Sequence, residues 1–230
     1  LHDKWICGAV RKGAHREYIA DDDLRTSFVD GDDLLALVNR SPQGALPPDY
    51  APNDLVDARS GTAKTKEECD RTQCLRKDPK EALDQLLSDW KKIGAIGKIE
   101  SAYRSYSSQC GTFAKWVEKS TFCDATEQSA LPGHSQHQLG TTLDLFTEEW
   151  AAGDPRGVFR EGFGCTAHGK WLQDHSWEYG FVLPYPIHPD DRHPATRTDR
   201  RFLQWRPVGD PGAKQRRYPL QIQPVRYAHD

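Results

Sequence analysis

The 230-residue sequence contains no methionine, not even at position 1, which is typical of a processed or truncated chain. No signal peptide is recognisable at its start. No apolar run approaches the roughly 18 residues that a membrane-spanning helix requires, so a soluble protein without a transmembrane segment is expected. The formal net charge is only -3, which gives no reason to expect nucleic acid or an anionic membrane as a partner.

Cysteine is sparse, and its spacing excludes a cluster built from paired Cys-x-x-Cys motifs. Six cysteines in a polar chain favour disulfides in an exported protein. The alternative is a set of buried free thiols in a cytosolic protein. We expect Cys69–Cys74 to close a short loop and Cys123–Cys165 to tie a long loop to a neighbouring segment. The pair Cys7–Cys110 follows by elimination.

Hydrophobic periodicity predicts helices that leave and rejoin a small sheet, an α+β arrangement. The first clear helix begins with an Asp78 cap and Pro79, and it buries a stripe that runs from Ala82 to Ile93. Two further helices and three short strands follow, and loops connect them through 119–135 and 150–164. The helices are predicted at 107–118, with Phe113, Trp116 and Val117 inward, and at 166–177; the strands are predicted at 98–103, 141–146 and 181–183.

The first 80 residues carry weaker signals. Carboxylate clusters at 21–23 and 30–33 suit calcium, but neither matches an EF-hand loop, so solvated turns are the preferred interpretation. Residues 33–39 predict a short strand or helix. Residues 57–78 are rich in charged side chains and predict a surface insertion.

The stretch 135–146 begins as a turn after Pro132-Gly133 and ends as a β-strand. It therefore places His137 on a loop and Asp144 on a strand. An imidazole and a carboxylate that converge in this way can be two ligands of a divalent metal such as zinc. The simpler alternative is a hydrogen bond between a loop histidine and a strand carboxylate.

Three blocks in this chain resemble the VanY-like D-alanyl-D-alanine carboxypeptidases, zinc peptidases of bacterial cell walls. The first is Ser-x-His-x-x-Gly-x-x-x-Asp at 135–144, and the second is Ser-Ala-Tyr-Arg-Ser with Gln109 at 101–109. The third is the Pro-rich segment at 46–56. The resemblance implies a VanY-like or hedgehog-type α+β fold with a small, mostly antiparallel sheet packed by helices. It also suggests an N-terminal extension at 1–34, a peptidase domain at 35–190 and a divergent or misassigned segment at 191–230.

The resemblance also implies roles for individual residues. His137 and Asp144 match the family's zinc ligands, and Arg104 matches the arginine that stabilises the oxyanion. A guanidinium suits this role because it keeps its positive charge and can donate to the developing negative charge. His134 lies outside the ligand register. Neutral hydrogen-bonding side chains around these positions are expected to line the peptide cleft: Ser101, Tyr103, Ser105, Gln109, Ser135 and Gln138.

The C-terminal part departs from the family, which ends on Glu-x-Trp-His with Glu as the general base and His as the third ligand. Here the nearest counterpart places Leu203 at the base and Arg206 at the ligand, and neither can do that chemistry. Residues from 191 onward hold nine Lys/Arg and four Asp (9 − 4 = +5) and show no strand pattern. Either the segment has diverged or its reading frame is shifted. His229, His188 and His193 are the remaining candidates for the third ligand.

The sequence therefore predicts a Zn²⁺-dependent D,D-carboxypeptidase that hydrolyses the terminal D-Ala-D-Ala bond of peptidoglycan stem peptides. Two alternatives stay open: a cell-wall-binding homologue that lacks the general base, and an endopeptidase on the same fold. An exported, extracellular or periplasmic protein associated with the cell wall is expected. Its partner would be the stem peptide, and it would act as a monomer.

Overall fold

The computed structural model describes residues 28–40, 44–154, 159, 162–183 and, by their backbone, 202–205. None of the helices in these ranges is long and apolar enough to cross a bilayer. Within the described residues the strands, in chain order, are β1 (Leu55–Asp57), β2 (Cys74–Arg76), β3 (Gly97–Ser101), β4 (Thr142–Thr147), β5 (Phe181–Val182) and β6 (Phe202–Trp205). The helices are α1 (Lys66–Cys69), α2 (Lys77–Lys92), α3 (Tyr106–Lys119), α4 (Phe122–Gln128), α5 (Glu148–Ala152) and α6 (Ala167–His175).

The larger sheet has the spatial order β3-β4-β6-β5, and every neighbouring pair is antiparallel. Strand β4 is central, with β3 on one side and β6 on the other. In this register Asp144 lies opposite Ser101 of β3 and opposite Phe202 of β6. The predicted α+β fold with a small antiparallel sheet is confirmed.

The main core lies between this sheet, α2 and α6. Trp90 of α2 is completely buried, and its indole N–H donates to the His168 carbonyl of α6 at 3.2 Å. Leu143 and Leu145 of β4 and Phe181 of β5 join the same cluster of buried side chains. Burying several aromatic and aliphatic side chains in one cluster is the main source of stability for such a domain.

The ends of the predicted helices needed correction. Helix α2 begins at Lys77 with Arg76 as its N-cap, because β2 runs directly into it, so Asp78 is not the cap. Ile93 lies beyond the last turn and is 45% exposed, and Trp116 of α3 is 38% exposed, so neither is a core residue. Phe113 is buried as predicted.

Several segments expected to be irregular are ordered. Residues 57–78 are not a surface insertion, because β2 within them is fully buried and pairs with β1. Residues 33–39 form a bend and a turn over 33–35 and irregular backbone over 36–39, rather than a strand or helix. Helix α4 and the C-terminal part of α5 lie in the stretches predicted as connections, and a strand, β6, lies where no strand pattern was found. The domain division at residues 34 and 190 stays a prediction.

Cys69 and Cys74 form a disulfide, as predicted from their spacing. The predicted Cys123–Cys165 pair is wrong, since Cys165 is a free, exposed thiol at the end of a 3-10 turn, Phe163–Cys165. Cys110 is also disulfide-bonded. Cys7, the partner proposed for it by elimination, lies outside the described residues, as do the carboxylates at 21–23.

Candidate active site

His137 lies in a 3-10 turn, Gln136–Leu139, which ends at Gly140 with φ of 76° and leads into β4. Glycine suits this position because a left-handed backbone conformation costs other residues energy. A Cβ at Gly140 would also lie 3.0 Å from Cγ of Arg76. The turn and the strand together bring the His137 ring toward Asp144, as the sequence predicted.

The His137 imidazole is oriented by the backbone. Its Nδ1 donates to the Ala102 carbonyl at 2.6 Å, so in the neutral ring Nε2 carries the lone pair. Burial, and then the positive charge of Arg104, lower the pKa of His137 to about 3, although the bond to Ala102 opposes this shift. The ring is therefore a neutral base whose unprotonated nitrogen lies near Asp144, the state in which histidine binds metals.

The Nε2 atom of His137 and Oδ2 of Asp144 are 3.7 Å apart, and both side chains are about nine-tenths buried. A zinc ion lies about 2.0–2.2 Å from nitrogen and oxygen ligands, so two ligand atoms can span at most about 4.3 Å. The observed separation falls within that span, and the donor types suit zinc. Residues His137 and Asp144 therefore fit two positions of a zinc site. In the described part of the chain no group of three or more His, Cys, Asp or Glu side chains could hold a metal ion.

Arg104 follows the end of β3, and its backbone N–H donates to the His137 carbonyl at 3.2 Å. Two of its guanidinium nitrogens are held by side chains: one donates to Ser101 Oγ at 2.6 Å and one to Gln109 Oε1 at 2.8 Å. Burial lowers the pKa of Arg104 and the Asp144 carboxylate opposes this, yet a guanidinium stays charged in proteins. Of its five N–H donors, three have no partner among the described residues and can serve a bound ligand.

The six residues predicted to line a peptide cleft divide into groups. Ser101 and Gln109 hold Arg104, and Gln109 is anchored in turn by donating to Ala130 O at 2.7 Å and to Ser129 Oγ at 3.0 Å. Gln138 has a structural position, since its amide donates to the carbonyls of Pro47 and Tyr50 in the Pro-rich segment.

The other predicted cleft residues lie around the same elements. Ser135 is buried at the start of the 3-10 turn and makes no capping bond with its side chain. Ser105 is the N-cap of α3 and donates to Asp70 at 2.7 Å, while Tyr103 is buried behind Arg104.

Of the remaining candidate ligands, only His134 lies among the described residues. The His134 ring makes a hydrogen bond to the Asn39 carbonyl at 2.8 Å, away from Asp144. His188, His193, Arg206 and His229 lie outside the described residues. Sequence reasoning missed two groups, the Ala102 carbonyl that orients His137 and the Ser129 hydroxyl that anchors Gln109. No residue pattern marks either of them. Every residue has a backbone carbonyl, and serine is a common residue type.

Comparison with known proteins adds the deciding observation. Residues 72–197, more than half of the chain, match the model of the VanY family, described as D-alanyl-D-alanine carboxypeptidase. The chain belongs to the VanY family. The resemblance read from the three sequence blocks is thereby confirmed.

Individual relatives agree with this assignment. The putative carboxypeptidase YodJ of Bacillus subtilis (strain 168) is 35% identical over 184 residues, 80% of this chain and 63% of the relative. The LdcB LD-carboxypeptidase, whose structure is described for its peptidoglycan recognition, has 31% sequence identity to this chain and a TM-score of 0.63. The match covers 82% of this chain and 88% of LdcB. A VanY D,D-pentapeptidase mutant in complex with Zn(II) shares the fold: it is 22% identical with a TM-score of 0.54, and the match covers 79% of this chain and 91% of that one.

The chain thus spans just under two thirds of the length of its curated relative. The relatives are named as carboxypeptidases, which supports the predicted class of enzyme, a peptidase.

Proposed function

We propose that this chain is a zinc-dependent carboxypeptidase that removes the C-terminal D-alanine from peptidoglycan stem peptides outside the cell. The observation that carries the proposal is the buried His137–Asp144 pair, 3.7 Å apart, beside an Arg104 guanidinium fixed by two side chains. A zinc ion held there supplies an activated water and a positive charge for hydrolysis of an amide bond. The VanY fold and the carboxypeptidase relatives support the same chemistry.

The side chains of this chain then have distinct tasks. His137 and Asp144 hold the metal, and Ala102 keeps the ring tautomer that leaves Nε2 unprotonated. Arg104 offers its remaining N–H groups to an oxygen of the substrate, either the terminal carboxylate or the oxyanion that develops during amide hydrolysis. Ser101 and Gln109 reduce the freedom of the guanidinium, so its donors are positioned before the substrate arrives.

Two candidate bonds follow from the relatives. The family description names D-alanyl-D-alanine, which favours cleavage between two D-residues. The similarity to LdcB, an LD-carboxypeptidase, favours cleavage between an L-residue and D-alanine. A third possibility, binding without cleavage, is favoured by the sequence at Leu203 and Arg206, which cannot act as base and ligand.

The test begins with metal content. Zinc-loaded protein should hold about one zinc per chain, and His137→Ala should lose it because one of the two buried ligands is gone. His175→Ala is the matched control, since His175 is partly exposed and its ring contacts Glu178 and Trp171 rather than His137 or Asp144. Equal zinc in the His137→Ala variant and the wild type would refute the site.

The second step measures D-alanine released from two peptides, a pentapeptide ending in D-Ala-D-Ala and a tetrapeptide ending in L-Lys-D-Ala. Release from the first alone supports the D,D activity, and release from the second alone supports the L,D activity. Zinc and peptide binding without release would support a non-catalytic wall-binding protein and would overturn the proposed hydrolysis.

A further inference from the structure

The 3-10 turn that carries His137 lies between two parts of the chain. On one side, His137 itself contacts the residues that follow β3: its ring donates to Ala102 O, and its carbonyl accepts from the Arg104 N–H at 3.2 Å. On the other side the turn contacts residues 36–40 and 44–50, the supporting segment. The hydrogen bonds on this second side come from the residues next to His137.

Two glutamines of the turn donate to backbone carbonyls of the supporting segment. Gln136 donates to Val38 O at 3.1 Å. Gln138 donates to two carbonyls at once, Pro47 O at 2.9 Å and Tyr50 O at 3.2 Å. The two glutamines therefore hold the turn to the supporting segment immediately before and immediately after the proposed ligand.

Apolar and backbone contacts fix the same surface. Leu139, the last residue of the turn, is completely buried in a cluster with Ala36, Val38 and Leu46. The Leu46 N–H also donates to Gly133 O at 2.8 Å, just before the turn begins. The supporting segment therefore packs along the whole length of the turn rather than at one point.

Stability alone does not explain why the buried residues on both sides of His137 are glutamines. Gln138 is completely buried and Gln136 is 8% exposed, and neither Oε1 atom has a hydrogen-bond partner among the described residues. A buried amide oxygen without a partner costs free energy, which an apolar side chain of similar size would avoid. The amide N–H group adds direction, because a hydrogen bond restricts an angle as well as a distance. Such bonds suit a turn whose orientation matters.

We propose that Gln136 and Gln138 are positioning residues, which hold the His137 ring in the orientation for metal binding by tying its turn to the supporting segment. The proposal rests on the proposed function in that it takes His137 to be a zinc ligand. Gln138 has no exposed surface, so this task replaces the contact with a peptide that was predicted for it. The supporting segment thereby contributes to the metal site through its backbone carbonyls.

The experiment replaces each glutamine by methionine in the full chain, singly and together. Methionine has nearly the length of glutamine but no donor group. In metal-free protein labelled with 15N-histidine, NMR measures the solvent exchange of the His137 Nδ1 proton, which is assigned by its absence in His137→Ala. We expect about tenfold faster exchange in Gln138→Met, which loses two neutral hydrogen bonds, and a smaller change in Gln136→Met, which loses one.

The second measurement is the zinc dissociation constant, obtained by competition with a chelator. Groups that orient a ligating histidine typically contribute about 10- to 100-fold to metal affinity. We expect Gln138→Met to bind zinc about tenfold more weakly than the wild type, since it acts on the ring through the turn. The double variant should bind zinc more weakly than either single variant.

Two controls separate positioning from a general loss of stability. Gln73→Met removes one bond of the same kind, to Glu100 O, and should change neither the exchange of the His137 proton nor the zinc affinity. Within each variant, the Trp90 indole proton reports opening of the main core, where it donates to His168 O. It should be accelerated much less than the His137 proton. Equal acceleration of the two protons would overturn the proposal, because the glutamine would then stabilise only the domain as a whole.

The remaining outcomes also decide. Unchanged exchange of the His137 proton in both single variants would overturn the proposal, and so would unchanged zinc affinity in a variant whose ring proton exchanges faster. The single variants suffice if the double variant does not fold. A wild type that binds no zinc would refute the proposed function, whereas selective acceleration of the ring proton would still support positioning of the ring by the two glutamines.

Discussion

Replacing Gln109 by leucine removes the group that fixes Arg104 while it leaves His137 and Asp144 untouched. Gln109 is 1% exposed and makes three side-chain hydrogen bonds: it accepts from Arg104 and donates to Ala130 O and Ser129 Oγ. A bond to a charged donor contributes about 1.5–3 kcal/mol and a neutral one about 0.5–1.5 kcal/mol. Leucine has a similar volume and its apolar burial offsets part of this loss, so we expect about 3 kcal/mol less stability.

For a chain of this size such a loss lowers Tm by about 6–12 °C. If Arg104 acts on the substrate, kcat/KM for D-alanine release should also fall, by about 10- to 100-fold, because the guanidinium is no longer held in place. Zinc content should not change, since neither proposed ligand contacts Gln109. The measurements are urea unfolding, peptide hydrolysis and metal analysis on the same samples.

Gln73→Leu is the matched control. Gln73 is half-buried and donates one hydrogen bond, to Glu100 O at 3.1 Å, so its replacement should cost no more than about 1 kcal/mol and leave hydrolysis unchanged. If Gln109→Leu were as stable as wild type, the three bonds would contribute nothing. If it lost zinc in proportion to activity, Gln109 would act on the metal site rather than through Arg104.

Four further variants test other parts of the molecule. Tyr103→Phe should leave stability unchanged or raise it by about 1 kcal/mol, because the hydroxyl has no partner among the described residues; a clear loss in urea unfolding would show that it has one. Replacing both Cys69 and Cys74 by alanine should cost about 2 kcal/mol, the chain-entropy value for a loop of about six residues, and equal stability would contradict it. Gly140→Ala should cost about 1–2 kcal/mol of stability because Gly140 has a left-handed backbone conformation. Gly111→Ala should instead stabilise α3 by about 0.5–1 kcal/mol, because no atom lies within 4 Å of the added Cβ. A Gly140→Ala variant that melts at a higher temperature than the Gly111→Ala variant would refute that argument.

The fold was predictable where the sequence pattern repeats over several turns. The stripe from Leu83 to Trp90 predicted α2, and Trp90 is indeed buried. Its ends were not predictable, because they depend on tertiary context: β2 enters the helix directly at Arg76, and Ile93, just past the last turn, is left 45% exposed. Strands of two or three residues, such as β2, are too short to show an alternating pattern.

The cysteines show the same limit. Cys69 and Cys74 are five residues apart, so their pairing could be inferred from spacing alone. Pairing between cysteines distant in sequence depends on which elements lie together. The prediction for Cys165 failed because the 3-10 turn that ends on it leaves its thiol exposed.

The proposed ligands were predictable because one short segment contains both of them and also predicts the backbone that carries each, a turn for His137 and a strand for Asp144. The roles of the surrounding polar residues were not. Ser101 and Ser105 lie on either side of the same three residues, 102–104, yet Ser101 accepts a hydrogen bond from Arg104 and Ser105 donates one to Asp70. Only the direction in which each side chain leaves the backbone decides between these roles, and the sequence does not record it.

The central position of β4 limits where a missing catalytic group can come from. Arg104 reaches the site from the side of β3, and Asp144 lies on β4 itself. The other side of β4 is occupied by β6, which pairs Phe202 with Asp144 in antiparallel register. Residues 203–206 occupy this neighbourhood in sequence, the same residues that align with the family's Glu-x-Trp-His. The strand 202–205 pairs with β4, but the side chains of Leu203 and Arg206 cannot act as base or metal ligand, so hydrolysis by this chain requires a base and a third ligand from another segment. Measured release of D-alanine would therefore establish that such a segment exists, whereas zinc binding without release would show that the chain lacks one of these groups.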